Sequence, residues 1–189
     1  MFVALSGTPG TGKTSVSNIL QKKAYQVVSL NEIAIKKGFI EGIDKKRNSK
    51  ILDIDRLNEY ISKEYAAEAL VFIEGHAAHF LNNAEKVILL RCHPTKLKNR
   101  LEKKGWNKEK IKENIEAEAL DVILCETIEY FPSDSIFEIN TSNKTIESVS
   151  ESIVEIVKSN FSPIKKYNIG KIDWSEEILK DSWSSGDER

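Results

Sequence analysis

The chain has 189 residues, of which 40% are hydrophobic and 30% are charged, and its formal net charge is −1. This length predicts one domain with at most a small lid or tail, and the composition is typical of a soluble globular protein. A charge this close to zero argues against nucleic-acid binding driven mainly by electrostatics, although local basic patches and direct RNA contact stay open.

The apolar run at residues 1–5 is too short for a signal peptide and nothing in the sequence approaches a membrane span, so we expect a cytoplasmic protein without a membrane partner. Cys92 and Cys125 lack metal-ligand spacing, so we expect free thiols in the core.

The first predicted elements are a buried strand at residues 1–5 and a helix over about 14–24, joined by a glycine-rich turn. The turn reads Gly-Thr-Pro-Gly-Thr-Gly-Lys-Thr at 7–14 and fits the phosphate-loop pattern G-x-x-x-x-G-K-[ST]. A strand before the pattern and a helix after it are the context in which this pattern marks a nucleoside triphosphate site.

Each part of this loop has a predicted role toward phosphate. The glycines, among them Gly10 and Gly12, allow backbone N–H groups to converge on phosphate oxygens, and the helix that follows presents its positive N-terminal end. We expect Lys13 to reach the β- and γ-phosphates and Thr14 to hold Mg²⁺. The sequence therefore predicts that the chain binds ATP or a related triphosphate together with Mg²⁺.

Further along the chain, short apolar strands alternate with longer amphipathic helices. This alternation predicts an α/β fold of the P-loop NTPase type, a three-layer α/β/α arrangement around a five-stranded parallel sheet. The other four predicted strands are 26–29, 70–73, 86–90 and 135–139, and the other predicted helices are 55–68, 94–103, 108–129 and 145–159.

Two stretches interrupt this alternation. Residues 30–54 form a polar insertion between the second strand and the next helix. Residues 96–113 carry eight lysine or arginine residues against three acids. This excess of positive charge indicates a hinged cover over phosphates, with Gly105 as the break between two helices, although a solvated helix face with paired charges is the alternative.

A carboxylate and a histidine follow the predicted strand at 70–73. Glu74 stands where a phosphate-loop enzyme needs a carboxylate that holds Mg²⁺ through water, and His76 comes two residues later. A histidine near the γ-phosphate can orient a nucleophile or accept its proton. The alternative is that both residues only end a strand at a polar edge, whereas His79 and His93 have no such placement and are interpreted as structural or surface residues.

Taken together, these segments resemble a nucleoside monophosphate kinase of the adenylate kinase isoenzyme 6 type, a branch that includes archaeal putative adenylate kinases and ribosome-maturation ATPases. The resemblance spans about residues 1–160. Besides the phosphate loop, it rests on Ile-Leu-Asp-Ile-Asp-Arg at 51–56, Ile-Glu-Gly-His at 73–76, Arg-Leu-Glu-Lys-Lys-Gly-Trp at 100–106, Lys-Glu-Asn-Ile at 112–115 with the following glutamates, and Thr-Ser-Asn-Lys-Thr at 141–145.

The resemblance implies a division of the core at 1–160 into functional segments. Residues 29–52 would bind the monophosphate, 103–113 would form the lid, and 141–145, with Asn143 and Lys144, would form the adenine-side loop. It also implies that Glu74 replaces the more usual aspartate and that His76 is the matching histidine. The implied ATP contacts are Gly10, Gly12, Lys13, Thr14 and Ser15.

Two departures from the family pattern concern catalysis. Lys104 stands where the family lid has an arginine, so the positive charge is kept but the two-donor fork is lost. Residues 29–40 contain no arginine for a monophosphate. The nearest cations are Lys36 and Lys37, with Arg47 and Arg56 further along the chain.

Two functions remain open from the sequence. The first is an adenylate kinase that transfers the ATP γ-phosphate to AMP or another nucleoside monophosphate, with Lys13, Glu74, His76 and Lys104 as catalytic residues and with ATPase activity beside it. The second is an ATP-driven assembly factor in small-subunit rRNA maturation, whose hydrolysis changes the affinity for a small-subunit ribosomal protein. The extension at 161–189, which holds Trp174 and Trp183, is interpreted as a strap packed on the core or as a partner-binding tail.

Overall fold

A computed structural model describes residues 1–44 and 49–179. The strands are β1 Phe2–Ser6, β2 Gln26–Ser29, β3 Ile40–Asp44, β4 Ser49–Leu52, β5 Val71–Glu74, β6 Lys86–Arg91 and β7 Ile136–Asn140. The α-helices are α1 Lys13–Lys22, α2 Leu30–Lys37, α3 Ile54–Glu64, α4 Pro94–Lys103, α5 Lys108–Ala119, α6 Val122–Tyr130, α7 Ile146–Lys158 and α8 Ser175–Leu179. None of the helices in the described ranges is long and apolar enough to cross a membrane.

The main sheet has five parallel strands in the order β2-β5-β1-β6-β7, which confirms the fold predicted from the sequence. β1 lies in the centre, with Leu5 opposite Glu74 of β5 and Ser6 opposite Leu89 of β6. Because parallel strands end at the same edge, the residues that follow β1 and β5 are brought side by side.

Helices cover both faces of this sheet, so each face has its own hydrophobic core. One core packs α1 and α7 on the sheet, and the other packs α2, α3 and α6 on the opposite face. The strand interiors are apolar on both sides because each strand is buried between two helical layers.

The polar insertion at 30–54 contains a helix and two strands that the sequence analysis did not predict. α2 begins after Ser29, whose hydroxyl accepts a hydrogen bond from the Glu32 N–H, and it ends at Gly38 with φ +70°. β3 and β4 then pair as an antiparallel hairpin of their own. Arg47 lies in the hairpin's connection, outside the described residues.

The helix predicted over 108–129 is in fact two helices. Asp121 adopts a left-handed conformation with φ +55°, and the chain turns there between α5 and α6. The Asp121 carboxylate accepts a hydrogen bond from Arg91, so a tertiary contact stabilises a conformation that the helical pattern does not reveal.

The predicted lid region forms a small helical hairpin beside the sheet. α4 and α5 share a separate apolar cluster of Cys92, Leu97, Leu101, Ile111 and Ile115, with Trp106 packed against it. Cys92 is therefore a core thiol as predicted, but the prediction for Cys125 is wrong because its place on α6 leaves it exposed.

The described part of the extension, residues 161–179, packs against the core. Ile164 and Tyr167 join the α1 and α7 core, whereas Ile169 packs on the opposite core. The backbone N–H of Gly170 donates to the Glu138 carboxylate at 2.9 Å. Trp174 meets the edge of His93 at a ring distance of 4.9 Å, and Trp183 lies outside the described residues.

Candidate active site

The phosphate loop is built into the core between β1 and α1. Gly7 has φ +136°, and a Cβ atom at this position would lie 2.3 Å from the Leu90 carbonyl oxygen, so only glycine fits beside β6. Gly10 lies against Leu97 and Leu101 of α4. Gly12 precedes α1, and Thr14 and Ser15 are exposed in its first turn, at the end of the helix that attracts anions.

Lys13 is folded back across the loop. Its ammonium group donates to the Gly7 carbonyl at 2.5 Å and to the Thr8 carbonyl at 3.1 Å. Burial is the main cause that lowers the pKa of Lys13 to about 8; the charges of Glu74 and Glu118 oppose the decrease, and the charge of Lys104 adds to it. A buried ammonium whose partners are neutral carbonyls gains a stronger partner when phosphate enters the loop.

Thr14 and Glu74 meet at the carboxyl ends of β1 and β5, as the sequence predicted. The Thr14 hydroxyl lies 3.5 Å from Glu74 Oε2, and the Glu74 side chain is buried. A hydroxyl and a carboxylate side by side are hard oxygen ligands of the kind that Mg²⁺ takes, with water and phosphate oxygens filling the remaining positions. The pair therefore fits the predicted magnesium site. In the described ranges no group of three or more His, Cys, Asp or Glu side chains offers another metal site.

His76 lies in the turn after β5, two residues after Glu74, and is exposed at the surface. Partial desolvation of the ring, together with the positive charges of Lys13 and Lys110, lowers the pKa of His76 to about 4. The imidazole is therefore neutral at pH 7, and its unprotonated nitrogen can accept a hydrogen bond.

Two lysines of the segment predicted to form the lid contribute positive potential around Lys13 and His76. Lys104 is the residue after α4, and its charge lowers the pKa of Lys13. Lys110 lies in the first turn of α5, and its charge lowers the pKa of His76. The Lys110 ammonium also lies over the Trp106 ring, at 4.5 Å from its centre. The sequence analysis singled out Lys104 but not Lys110, whose helical position carries no special signal.

The loop at 141–145 is joined to the phosphate loop, although not through the residues singled out beforehand. The Thr141 hydroxyl donates to the Thr11 carbonyl at 3.0 Å, and Arg100 of α4 donates to the Thr141 carbonyl at 2.7 Å. Asn143 is exposed, and Lys144 donates to Ser152 of α7 at 3.4 Å. Their role in adenine binding stays a prediction, and Arg100 was missed as the connector.

A buried ionic cluster around Arg91, at the end of β6, contacts the phosphate loop through Glu118. Arg91 donates to Glu118 at 2.9 Å and to Glu138 at 2.5 Å, and it also contacts Asp121. Burial alone would lower the pKa of the Arg91 guanidinium, but the three carboxylates have the larger effect, and the pKa is raised above its usual value. Glu118 accepts a further hydrogen bond of 2.5 Å from the Thr8 hydroxyl.

A second buried polar group lies behind His76. Ser6 Oγ is 3.0 Å from His79 Nδ1 and 3.1 Å from the His76 carbonyl oxygen, and His79 Nε2 is 3.0 Å from Glu126 Oε2. The interpretation of His79 as structural or surface was incomplete, since this ring is buried beside the candidate catalytic segment.

The cations near the predicted monophosphate segment contact aromatic rings. The Arg56 guanidinium lies 4.5 Å from the centre of the Phe39 ring and forms a 3.9 Å ion pair with Asp53. The Lys37 ammonium lies 4.6 Å from the centre of the Tyr60 ring, and Lys36 is exposed. Arg56 and Lys37 are therefore each engaged by an aromatic ring.

Comparison with solved structures shows which fold the chain shares. Shikimate kinase from Acinetobacter baumannii, in complex with shikimate, matches with a TM-score of 0.58 at 17% identity over 84% of this chain and 93% of that chain. Shikimate kinase from Bacteroides thetaiotaomicron matches with a TM-score of 0.52 at 17% identity over 84% of this chain and 98% of that chain. Identity at this level shows a shared kinase fold and nothing further.

Sequence comparison shows the family. A family model described as "AAA domain" matches residues 3–121. Proteins named "Putative adenylate kinase" are 39% identical in Methanosarcina acetivorans, over 94% of this chain and all of the relative, and 38% identical in Archaeoglobus fulgidus, over 94% of each. A relative of the same name in Methanocaldococcus jannaschii is 35% identical, over 95% of this chain and 96% of its own. The chain therefore belongs to the family of these archaeal adenylate kinase-type proteins.

Proposed function

We propose that the protein is a nucleoside monophosphate kinase that transfers the γ-phosphate of ATP to AMP. The observation that carries this proposal is the meeting of Thr14 and Glu74 at the ends of β1 and β5, with Lys13 folded over the adjoining phosphate loop. His76 follows Glu74 by two residues. The names of the relatives support a nucleotide kinase and suggest AMP as the acceptor.

The binding of the donor follows from the loop geometry. Backbone N–H groups of the loop and of the α1 N-terminus bind the phosphates, with Gly10, Gly12 and Ser15 in contact. Lys13 exchanges its two carbonyl partners for phosphate oxygens. Asn143 and Lys144 contact the adenine side.

The transfer itself requires alignment and charge compensation more than covalent chemistry. Lys104 and Lys110 come over the γ-phosphate when the segment 103–113 closes, and closure excludes water from the cleft. Thr14 and Glu74 hold Mg²⁺, which when bound offsets the negative charge of the β- and γ-phosphates. The neutral imidazole of His76 offers a nitrogen that orients the attacking group by accepting a hydrogen bond.

Hydrolysis of ATP is the proposed accompanying activity. Arg56 and Lys37 lie over aromatic rings, which supports a weakly held acceptor phosphate and therefore gives water a chance to compete as the nucleophile. In that reaction His76 positions water instead of the monophosphate. A role in small-subunit rRNA maturation with a ribosomal protein partner stays a prediction from the family resemblance, and it becomes the leading one if hydrolysis dominates.

The test is ADP formation from ATP, with and without AMP, at matched Mg²⁺ concentration. A large increase on addition of AMP supports the kinase and the assignment of 29–52 to the acceptor. A slow rate that does not depend on AMP contradicts the kinase and favours the ATPase.

Lys13→Ala tests whether this loop is the site of either reaction. We expect loss of both activities, because the variant removes the ammonium that contacts the transferred phosphate. Lys22→Ala, in the last turn of α1, is the control and should leave both rates unchanged. Retained turnover in Lys13→Ala would contradict the assignment.

A further inference from the structure

Ser6, His79 and Glu126 form a buried chain of hydrogen-bonding groups outside the residues assigned to ATP. Ser6 is fully buried at the end of β1, and His79 is 1% exposed in the short 3₁₀ turn Ala78–Phe80. Glu126 lies on α6, and its side chain is 39% exposed. These hydrogen-bonding groups therefore connect the partly exposed Glu126 on α6 with Ser6, the residue directly before the phosphate loop.

The protonation state of His79 determines which of these groups donate and which accept. Burial lowers the pKa of His79, and although Glu126 and the His76 carbonyl oppose the decrease, the neutral imidazole is favoured. A neutral imidazole has one N–H, and the Glu126 carboxylate accepts it from Nε2 at 3.0 Å. Nδ1 is then an acceptor, so the single hydroxyl proton of Ser6 lies between Nδ1 at 3.0 Å and the His76 carbonyl oxygen at 3.1 Å.

We propose that His79, oriented by Glu126, is a positioning residue that acts through Ser6 on the backbone of His76. Ser6 belongs to β1 and His76 to the turn after β5, so the hydroxyl joins the candidate catalytic histidine to the strand that carries the phosphate loop. Because Nδ1 and the His76 carbonyl oxygen share one hydroxyl proton, His79 sets how strongly Ser6 holds the His76 backbone beside the phosphate loop. The inference rests on the proposed function, because it assumes that His76 takes part in turnover.

Two replacements of His79 distinguish its contact with Ser6 from its contact with Glu126. His79→Asn places a polar atom where Nδ1 stands and keeps the contact with Ser6. His79→Gln places one where Nε2 stands and keeps the contact with Glu126. Because Glu126 is partly solvated, water can replace its contact with His79, whereas Ser6 is closed to water.

We expect His79→Gln to lower kcat roughly tenfold with a change in the KM for ATP below about twofold, and His79→Asn to keep kcat within about threefold of the parent. ADP formation is measured with ATP and Mg²⁺, with and without AMP, and thermal unfolding is measured for each variant. If His79 only anchors α6, the order is reversed and His79→Asn is the more damaged in stability and in rate. That result overturns the proposal.

A double variant shows whether the effect passes through His76. When His76→Ala is combined with His79→Gln, we expect the rate of His76→Ala alone, since a positioning residue has nothing left to position. Losses that multiply overturn this inference but leave the proposed function standing. A His76→Ala variant with unchanged turnover contradicts the proposed role of His76, and this inference fails with it.

Discussion

The carboxylate of Glu118, near the end of α5, accepts a hydrogen bond of 2.5 Å from the hydroxyl of Thr8 in the phosphate loop. Its other oxygen accepts from Arg91 and from the Cys92 N–H, each at 2.9 Å. The last turn of α5 is therefore fixed to the loop and to β6. The proposed closure of the segment 103–113 would accordingly bend the hairpin closer to Gly105 than to this end.

Removing Glu118 is expected to cost both stability and nucleotide affinity. Glu118→Ala leaves the buried Arg91 with one carboxylate fewer and the Thr8 hydroxyl unpaired, which should lower the free energy of unfolding by about 3 kcal/mol. Urea unfolding and ATP titration measure the two effects. Glu116→Ala is the control, because its 3.9 Å pair with Lys112 is exposed, and it should change neither quantity measurably. Equal behaviour of the two variants would contradict the supporting role of Glu118.

Gly7→Ala should damage the loop far more than an alanine at another glycine with positive φ. Its Cβ would approach the Leu90 carbonyl oxygen to 2.3 Å, so the loop or β6 must move. Gly38→Ala also requires positive φ, but a Cβ there meets nothing within 4 Å, and it should cost only about 1 kcal/mol. We expect ATP binding to be lost in Gly7→Ala and kept in Gly38→Ala, measured by calorimetry. Normal binding in both would show that the loop tolerates the displacement.

Binding of ATP should take up protons near pH 8. The pKa of Lys13 in the free protein is about 8, and bound phosphate stabilises the ammonium and raises that pKa. At pH 8 about half of the Lys13 side chains are neutral before binding, so uptake of about half a proton is expected, and it decreases as the pH falls toward 6. Calorimetry in two buffers of different ionisation enthalpy measures it. The uptake should disappear in Lys13→Met, and an uptake that persists would assign it to another group.

Lys104 should act on the rate more than on binding. Lys104→Ala removes a charge that acts on Lys13 and, in the proposed mechanism, on the transferred phosphate, so kcat should fall about tenfold. Lys104→Arg restores the two-donor fork of the family lid, and its kcat should equal or exceed that of the parent. Lys103→Ala, at the neighbouring exposed position, should keep the parent rate. A parent-like rate in Lys104→Ala would remove this residue from the mechanism.

The sequence was most informative where chemistry and periodicity act locally. All five strands of the main sheet were predicted, because each is a short apolar run buried between two helical layers. The phosphate loop was predicted because its pattern and flanking elements are contiguous in the chain. The pairing of Thr14 with Glu74 followed from the rule that parallel strands end at one edge.

What the sequence missed depends on contacts between distant residues. Thr8 and Glu118 are separated by 110 positions, and Ser6 and His79 by 73, so neither pair leaves a local pattern. The break at Asp121 was missed because a carboxylate that accepts from Arg91 stabilises a left-handed residue inside a helical pattern. The hairpin of β3 and β4 was missed because its apolar residues are interspersed with polar ones, and Ile43 and Ile51 are exposed, so no continuous apolar run marks either strand.

The extension has a consequence for how the molecule behaves at high concentration. β7 ends the sheet, and in the described part of the chain only β6 pairs with it, so its outer side offers backbone groups that another polypeptide could use to add a strand. Tyr167 and Ile169 pack on opposite faces of the sheet. The backbone N–H of Gly170, which follows them, donates to the Glu138 carboxylate of β7. The segment thus crosses this border, and we expect it to hinder intermolecular strand pairing and so to reduce aggregation.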